Sequence, residues 1–153
     1  MTQPLTIIGV VGGAVCDKAE GESAREVGRL IARRGAALVC GGLGGVMQEA
    51  ARGACEENGL TIGILPGSSR NEASKYIKLS VVTGMGHARN VILAHTAQAL
   101  IAIAGEYGTL SEISIALKLG KPVACIGRWD AVEGVISAAT PKEAIERVFA
   151  LIK

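Results

Sequence analysis

The residues of this sequence that can do chemistry gather in three glycine-containing segments and one short basic stretch. Gly41-Gly42-Leu43-Gly44-Gly45-Val46-Met47 places four glycines within five residues, between an apolar run and an amphipathic one. Backbone stripped of side chains at a helix start leaves amide N–H groups uncovered, and these add to the positive end of the helix macrodipole to attract an anion. Gly42, Gly44, Gly45 and Met47 are therefore candidate ligand contacts, although close strand–helix packing would ask for the same glycines. Gly12-Gly13, after the first apolar run, allows a close backbone approach to a ligand or simply a tight turn. In Gly105-Glu106-Tyr107-Gly108-Thr109-Leu110-Ser111-Glu112, Thr109 and Glu112 have the spacing of a capping box. Glu112 then either reaches back to the Thr109 N–H or turns into a crevice as a carboxylate for ribose hydroxyls or water. Taken alone, Arg89 is a solvated or capping residue and nearby His87 a surface histidine. Cys16 has no identifiable histidine partner, which argues against a thiol nucleophile.

These segments are positioned by a regular alternation. Leu5 to Val11, Ala36 to Cys40 and Ala99 to Ala104 are short apolar runs with the character of buried strands, and Leu60 to Leu65, Ile77 to Val82 and Pro122 to Ile126 read as three more. Between them lie helical patterns. One opens at the box Ser23-Ala24-Arg25-Glu26 and stops at Gly35. A second runs from Val46 to Asn58-Gly59, a third from around His87 to Thr96, and a fourth from Thr109 to Leu119. The last opens at Thr140-Pro141-Lys142-Glu143, with an N-cap, a proline at the first helical position and a capping glutamate. Strands and helices joined by short connections predict an α/β fold. Its form is a three-layer, doubly wound, mostly parallel sheet of about six or seven strands, in a single domain over 1–153. Right-handed crossovers bring every strand-to-helix loop to one end of the sheet, where such folds bind ligands. Segment 66–76 is a candidate lid or a plain surface connection.

Composition narrows the function classes. Sixteen basic and fourteen acidic residues, with aromatics at 3%, offer no polyanion-binding surface or stacking platform, so no nucleic acid partner is expected. No apolar stretch has the length to span a bilayer, and no signal peptide pattern is present. The four cysteines form no CxxC pair, which predicts neither a zinc site nor a disulfide framework and suits a reducing cytoplasm. Counting G-x-G-x-x-G from Gly42 puts Met47 in the third glycine slot, and no GK[ST] occurs, so dinucleotide and P-loop chemistry are disfavoured. No Schiff-base lysine stands out among Lys75, Lys78, Lys118 and Lys121. Neither a cofactor nor a metal is expected.

The ordered set GGLGGVMQEAA, GILPG, HARN and GEYGTLSEI resembles the lysine-decarboxylase-like, or LONELY GUY, group of Rossmann-like nucleotide-binding proteins. Within that group it is most similar to the short branch that includes molybdenum-cofactor carrier proteins. The resemblance covers nearly the whole chain. The LONELY GUY enzymes are phosphoribohydrolases with the signature PGGxGTxxE and an upstream arginine; Gly105, Gly108, Thr109 and Glu112 match the signature and Arg89 the arginine. The likeness implies that Arg89 holds a phosphate or the departing base. It also implies that Glu112 orients water or stabilises an oxocarbenium-like transition state. Gly12, Gly13, Gly105, Glu106, Tyr107, Gly108 and Thr109 would line the ligand site. Ala104 replaces the leading proline, Glu106 a glycine and Asn90 a lysine, and Glu106 brings a carboxylate beside the phosphate cradle. The implied function is binding of a phosphorylated, nucleotide-like small molecule, with hydrolysis of a nucleoside 5′-monophosphate. The alternative is a non-catalytic carrier or sensor of a molybdopterin-like or nucleotide ligand. Relatives in this group are homodimers or larger homo-oligomers, and the helices around 91–97 and 110–119 are candidate interfaces.

Overall fold

The computed structural model describes residues 2–152; Met1 and Lys153, the two ends of the expected domain, lie outside the described residues. Strands β1 (Ile7–Gly12), β2 (Ala37–Cys40), β3 (Thr61–Leu65), β4 (Leu79–Val82), β5 (Ala99–Ile103), β6 (Val123–Ile126) and β7 (Ile136–Ala138) form one sheet in the order β4-β3-β2-β1-β5-β6-β7. Every neighbouring pair is parallel, with Ile8 opposite both Leu38 and Ala99 at the centre. The central strands are buried on both faces, as their unbroken Val, Ile, Leu and Ala content requires.

Helices α1 (Lys18–Arg33), α2 (Val46–Glu56) and α5 (Pro141–Leu151) cover one face, and α3 (Arg89–Thr96) and α4 (Tyr107–Lys118) the other. Alternate strand residues feed the two layers. Ile8, Val10, Leu38 and Ile101 pack under the first set, while Val11, Val39, Leu100 and Ala102 pack under the second. At the α1–α2 crossing, a Cβ on Gly28 would strike the Ala50 backbone and one on Gly53 the Arg25 backbone. These mid-helix glycines therefore exist to let two helices touch.

The structure corrects several boundaries. Helix α1 begins at Lys18, upstream of the Ser23 box. Asp17 caps it, accepting the Glu20 N–H at 2.8 Å while the Asp17 N–H donates to Glu20 Oε2 at 3.1 Å. Both sequences satisfy the box, and the upstream one adds a turn that buries Gly21 ahead of the apolar stripe of Ala24, Val27 and Ile31. Helix α4 begins at Tyr107 rather than Thr109. Strand β7, three residues at the sheet edge of which Ala138 is buried and Ser137 exposed, is too short to show a period. Segment 66–76 is pinned down: its 3-10 turn at Arg70–Glu72 is followed by Ser74, whose N–H donates to the Gly42 carbonyl at 2.8 Å. The Thr140 cap forms as expected, accepting the Glu143 N–H at 3.1 Å. On the two expected interface helices Leu93, Ala94, Ile113 and Ala116 are core, while Val91 and Leu119 are exposed.

Candidate functional site

Strand order reverses between β1 and β5, and a cavity of about 460 Å³ opens there, at the carboxyl ends of the strands. This is where a doubly wound sheet splays its loops apart. Val10 to Ala14 form one wall, Leu43 and Met47 an apolar second, and Glu106, Gly108, Thr109 and Glu112 a third, with Pro66, His87, Arg89 and Asn90 completing it.

Besides α3, which runs on from a 3-10 turn at Gly86–Ala88 and brings Arg89 and Asn90 to the cavity, three helix starts nearby differ in what they offer. That of α1 is closed by the carboxylates of Asp17 and Glu20, which occupy its orphan amides with the protein's own negative charge. Those of α2 and α4 carry no side-chain cap: Gly45 has none to give, and the Glu106 side chain makes no cap bond. At α2 the Val46 N–H is taken by the Gly13 carbonyl at 3.0 Å, which ties the first and second glycine loops together. Met47 at the second position of α2, and Gly108 and Thr109 in the first turn of α4, border the cavity.

The start of α4 is reached through an unusual turn. Ala104 has φ 49° and Gly105 φ 96°, two successive residues in the left-handed region that a proline cannot enter. That conformation excludes the proline that the resembling motif has at this position. A Cβ on Gly105 would run into Thr109, whose side chain is packed beneath the turn. The turn is clamped from the β6–β7 loop, where Trp129 Nε1 donates to the Ala104 carbonyl at 2.7 Å and Arg128 Nη1 to the Gly105 carbonyl at 2.9 Å. The Arg128 guanidinium lies 4.5 Å from the Trp129 ring centre, a cation–π arrangement. Glu106, expected to crowd the cradle, instead has its carboxylate out in solvent, 3.4 Å from Arg128 Nη1.

At the floor lie four buried polar residues, Arg89, Asn90, Thr109 and Glu112. Arg89 sits in the space left by Gly41, where a Cβ would come 2.6 Å from Nη2. Its Nη1 donates to Asn90 Oδ1, and Asn90 Nδ2 in turn donates to Ser111 Oγ at 3.3 Å. Asn90, which replaces a lysine of the resembling motif, is thus the strut between α3 and α4 that holds the arginine. Arg89 Nε is buried without any hydrogen-bond partner, an arrangement that costs free energy unless something else fills it. Glu112 Oε1 stands 3.8 Å from Arg89 Nη1, beyond hydrogen-bond range. Burial pushes the Glu112 carboxyl up to about 7, and the nearby Arg89 only partly opposes this. The capping reading of Glu112 therefore does not hold: α4 starts two residues earlier, so Thr109 lies inside the first turn and Glu112 faces the crevice floor.

Of the residues singled out from sequence, Arg89, Glu112, Gly12, Gly13, Met47, Glu106, Gly108 and Thr109 meet around this cavity. Gly105 lines an adjoining hollow of about 480 Å³ that shares Gly13 and Glu106. Gly42, Gly44, Gly45 and Tyr107 line neither. Gly42 backs onto Leu65, Gly45 onto the backbone of Gly13 and Ala14, and Tyr107 points into solvent. At Gly42 and Gly45 the packing demand accounts for the glycine. Sequence reasoning missed Gly41, Leu43 and Pro66 as lining residues and the Arg128–Trp129 clamp. The first three lie at strand ends, which the fold's topology marks as site positions, whereas nothing local announces the clamp. Among the described residues no group of three or more His, Cys, Asp or Glu side chains is placed to hold a metal ion. Among them, too, no helix is long and apolar enough to cross a membrane.

A model of the SLOG cluster4 family matches residues 5–150. The chain belongs to the SLOG cluster4 family. Among relatives of this SLOG cluster4 protein, an uncharacterized protein of Archaeoglobus fulgidus is 46% identical over 138 residues, covering 90% of this chain and 91% of the relative. The structure is similar to that of the molybdenum cofactor binding protein from the phototrophic bacterium Rippkaea orientalis. The two align with a TM-score of 0.91 and 34% identity over 99% of this chain and 100% of the other. It is also similar to the Moco carrier protein of Chlamydomonas reinhardtii, with a TM-score of 0.87 and 36% identity over 97% and 98% of the two chains.

Proposed function

We propose that this protein binds a phosphorylated pterin of the molybdenum-cofactor class in the crevice between β1 and β5 and carries it without turnover. One observation carries the reading: two uncapped helix starts and a buried arginine with an unfilled donor converge on one cavity, while the third helix start is closed by its own carboxylates. The amides at the starts of α2 and α4 would take the phosphate ester. The apolar wall of Leu43 and Met47 would cover the flat ring system. Gly108 supports a ligand rather than a packing role, because a Cβ there would meet only Asn90 Nδ2, at 3.8 Å. The metal of such a ligand is cargo, held through the pterin. The likeness to two molybdenum-cofactor proteins favours carriage over the base-releasing hydrolysis implied by the LONELY GUY resemblance.

The test is to mix the protein anaerobically with molybdenum cofactor and measure molybdenum and pterin eluting with it on gel filtration. Near-stoichiometric retention is expected, and Arg89→Ala should weaken it about 10- to 100-fold, the worth of a hydrogen bond from a charged donor. Absence of retention, together with release of free base from a panel of nucleoside 5′-monophosphates, would overturn carriage in favour of hydrolysis.

A further inference from the structure

Resting on that reading, we infer that Glu112 and Arg89 select the heterocycle. Glu112 accepts the two adjacent N–H groups of a 2-amino-4-oxopyrimidine edge, and Arg89 donates to the neighbouring oxo group. The floor of the crevice is a poor place for a phosphate, because the Glu112 carboxylate would face it in a water-poor environment. What a carboxylate can do is accept, through two oxygens side by side. What Arg89 has left is donors, since its guanidinium carries five N–H groups and the one bond it makes is from Nη1 to Asn90. The floor therefore presents two acceptors beside a donor. The complementary edge is amino, ring N–H and oxo in a row, as in pterins and guanine. Adenine offers one amino donor beside a ring acceptor, and hypoxanthine lacks the amino group. In this orientation the apolar wall of Leu43 and Met47 would lie against the flat ring, and the helix starts on the same cavity would receive the ester.

The remaining groups around Glu112 leave this role free. Cys40, at the end of β2, has its thiol pushed up to about 12 by burial and stays protonated. His87 and Glu106 lie on the cavity walls. Whatever charge they carry acts alike on two nucleotides that share one ester and cancels in their comparison.

The experiment measures binding of four probes to the wild-type protein by calorimetry: inorganic phosphate, inosine 5′-monophosphate, guanosine 5′-monophosphate and a phosphate ester of 6-hydroxymethylpterin. The amino-bearing pair should bind about tenfold or more tightly than the inosine ester, the worth of one hydrogen bond to a charged acceptor. Whichever of that pair is tighter names the natural source of the edge. The guanosine-to-inosine ratio should grow as pH rises through about 7, because only the ionised carboxylate accepts both N–H groups. Glu112→Gln should bring the ratio close to one, and inorganic phosphate should bind no more weakly than to the wild type, because the variant removes a carboxylate from the crevice. Equal binding of the guanosine and inosine esters by the wild-type protein, with phosphate still bound, would overturn the edge reading and leave phosphate-ester binding standing. Failure of all four probes would overturn both.

Discussion

Glu112→Gln should make the protein more stable above neutral pH, and the size of the effect follows from the crevice floor. Glu112 is 5% exposed, and loss of hydration lifts its carboxyl from the usual 4.5 to about 7 against the pull of Arg89. In the unfolded chain the same group ionises near 4.5. Between the two values the folded state holds a proton that the unfolded state has released, so stability falls as pH rises. The contribution is complete below about pH 4.5 and is lost once pH passes 7. A gap of about 2.5 pH units at about 1.4 kcal/mol each gives about 3 kcal/mol. Glutamine has the shape and neutrality of the protonated acid and escapes this cost. The variant should therefore exceed the wild type by about 3 kcal/mol at pH 8, and the two should converge toward pH 4.5. For a chain of 153 residues that corresponds to a Tm about 6–12 °C higher at pH 8. Urea unfolding followed by circular dichroism at pH 4.5, 6, 7 and 8 measures it, and the other titrating groups cancel between the two chains. Parallel pH profiles, or a glutamine variant no more stable at pH 8, would refute the argument, since the carboxylate would then be hydrated or paired in solution. A group that destabilises the fold at working pH is one whose retention calls for a functional reason.

Two further outcomes follow from the packing. Ala104→Gly should stabilise by about 0.5–1 kcal/mol, because φ 49° strains alanine and not glycine, whereas Ala104→Pro should cost about 3 kcal/mol or more; thermal unfolding of both reads the contrast. Leu100→Ala should cost about 2–5 kcal/mol in urea unfolding, because the Leu100 side chain fills the space above Gly9 in the fully buried centre of the sheet.

Much of the architecture was legible before any coordinates. Short apolar runs punctuated by glycine, alternating with capped amphipathic stretches, identify a parallel sheet with helices on both faces, and the strand order places the glycine loops at one end. These features are local: a period, a cap and a turn residue each act within a few positions. Arg89 stood out only through the family resemblance, whereas Glu112 and the Gly108-Thr109 segment also carried a local capping-box spacing. Local chemistry could not choose between the Asp17 and Ser23 boxes, because both have the spacing for the same reciprocal bonds, and the fold uses the Asp17 box, with an added turn that buries Gly21. Nor could it say whether Glu112 caps a helix or lies at the bottom of a crevice. That depended on a left-handed turn at Ala104-Gly105 held by Arg128 and Trp129, residues far along the chain that only folding brings near. The sequence by itself determined which segments become strands, helices and glycine loops. Tertiary structure alone decided which helix starts stay open and which polar side chains are left buried and unpaired, because those properties depend on neighbours that no local pattern encodes.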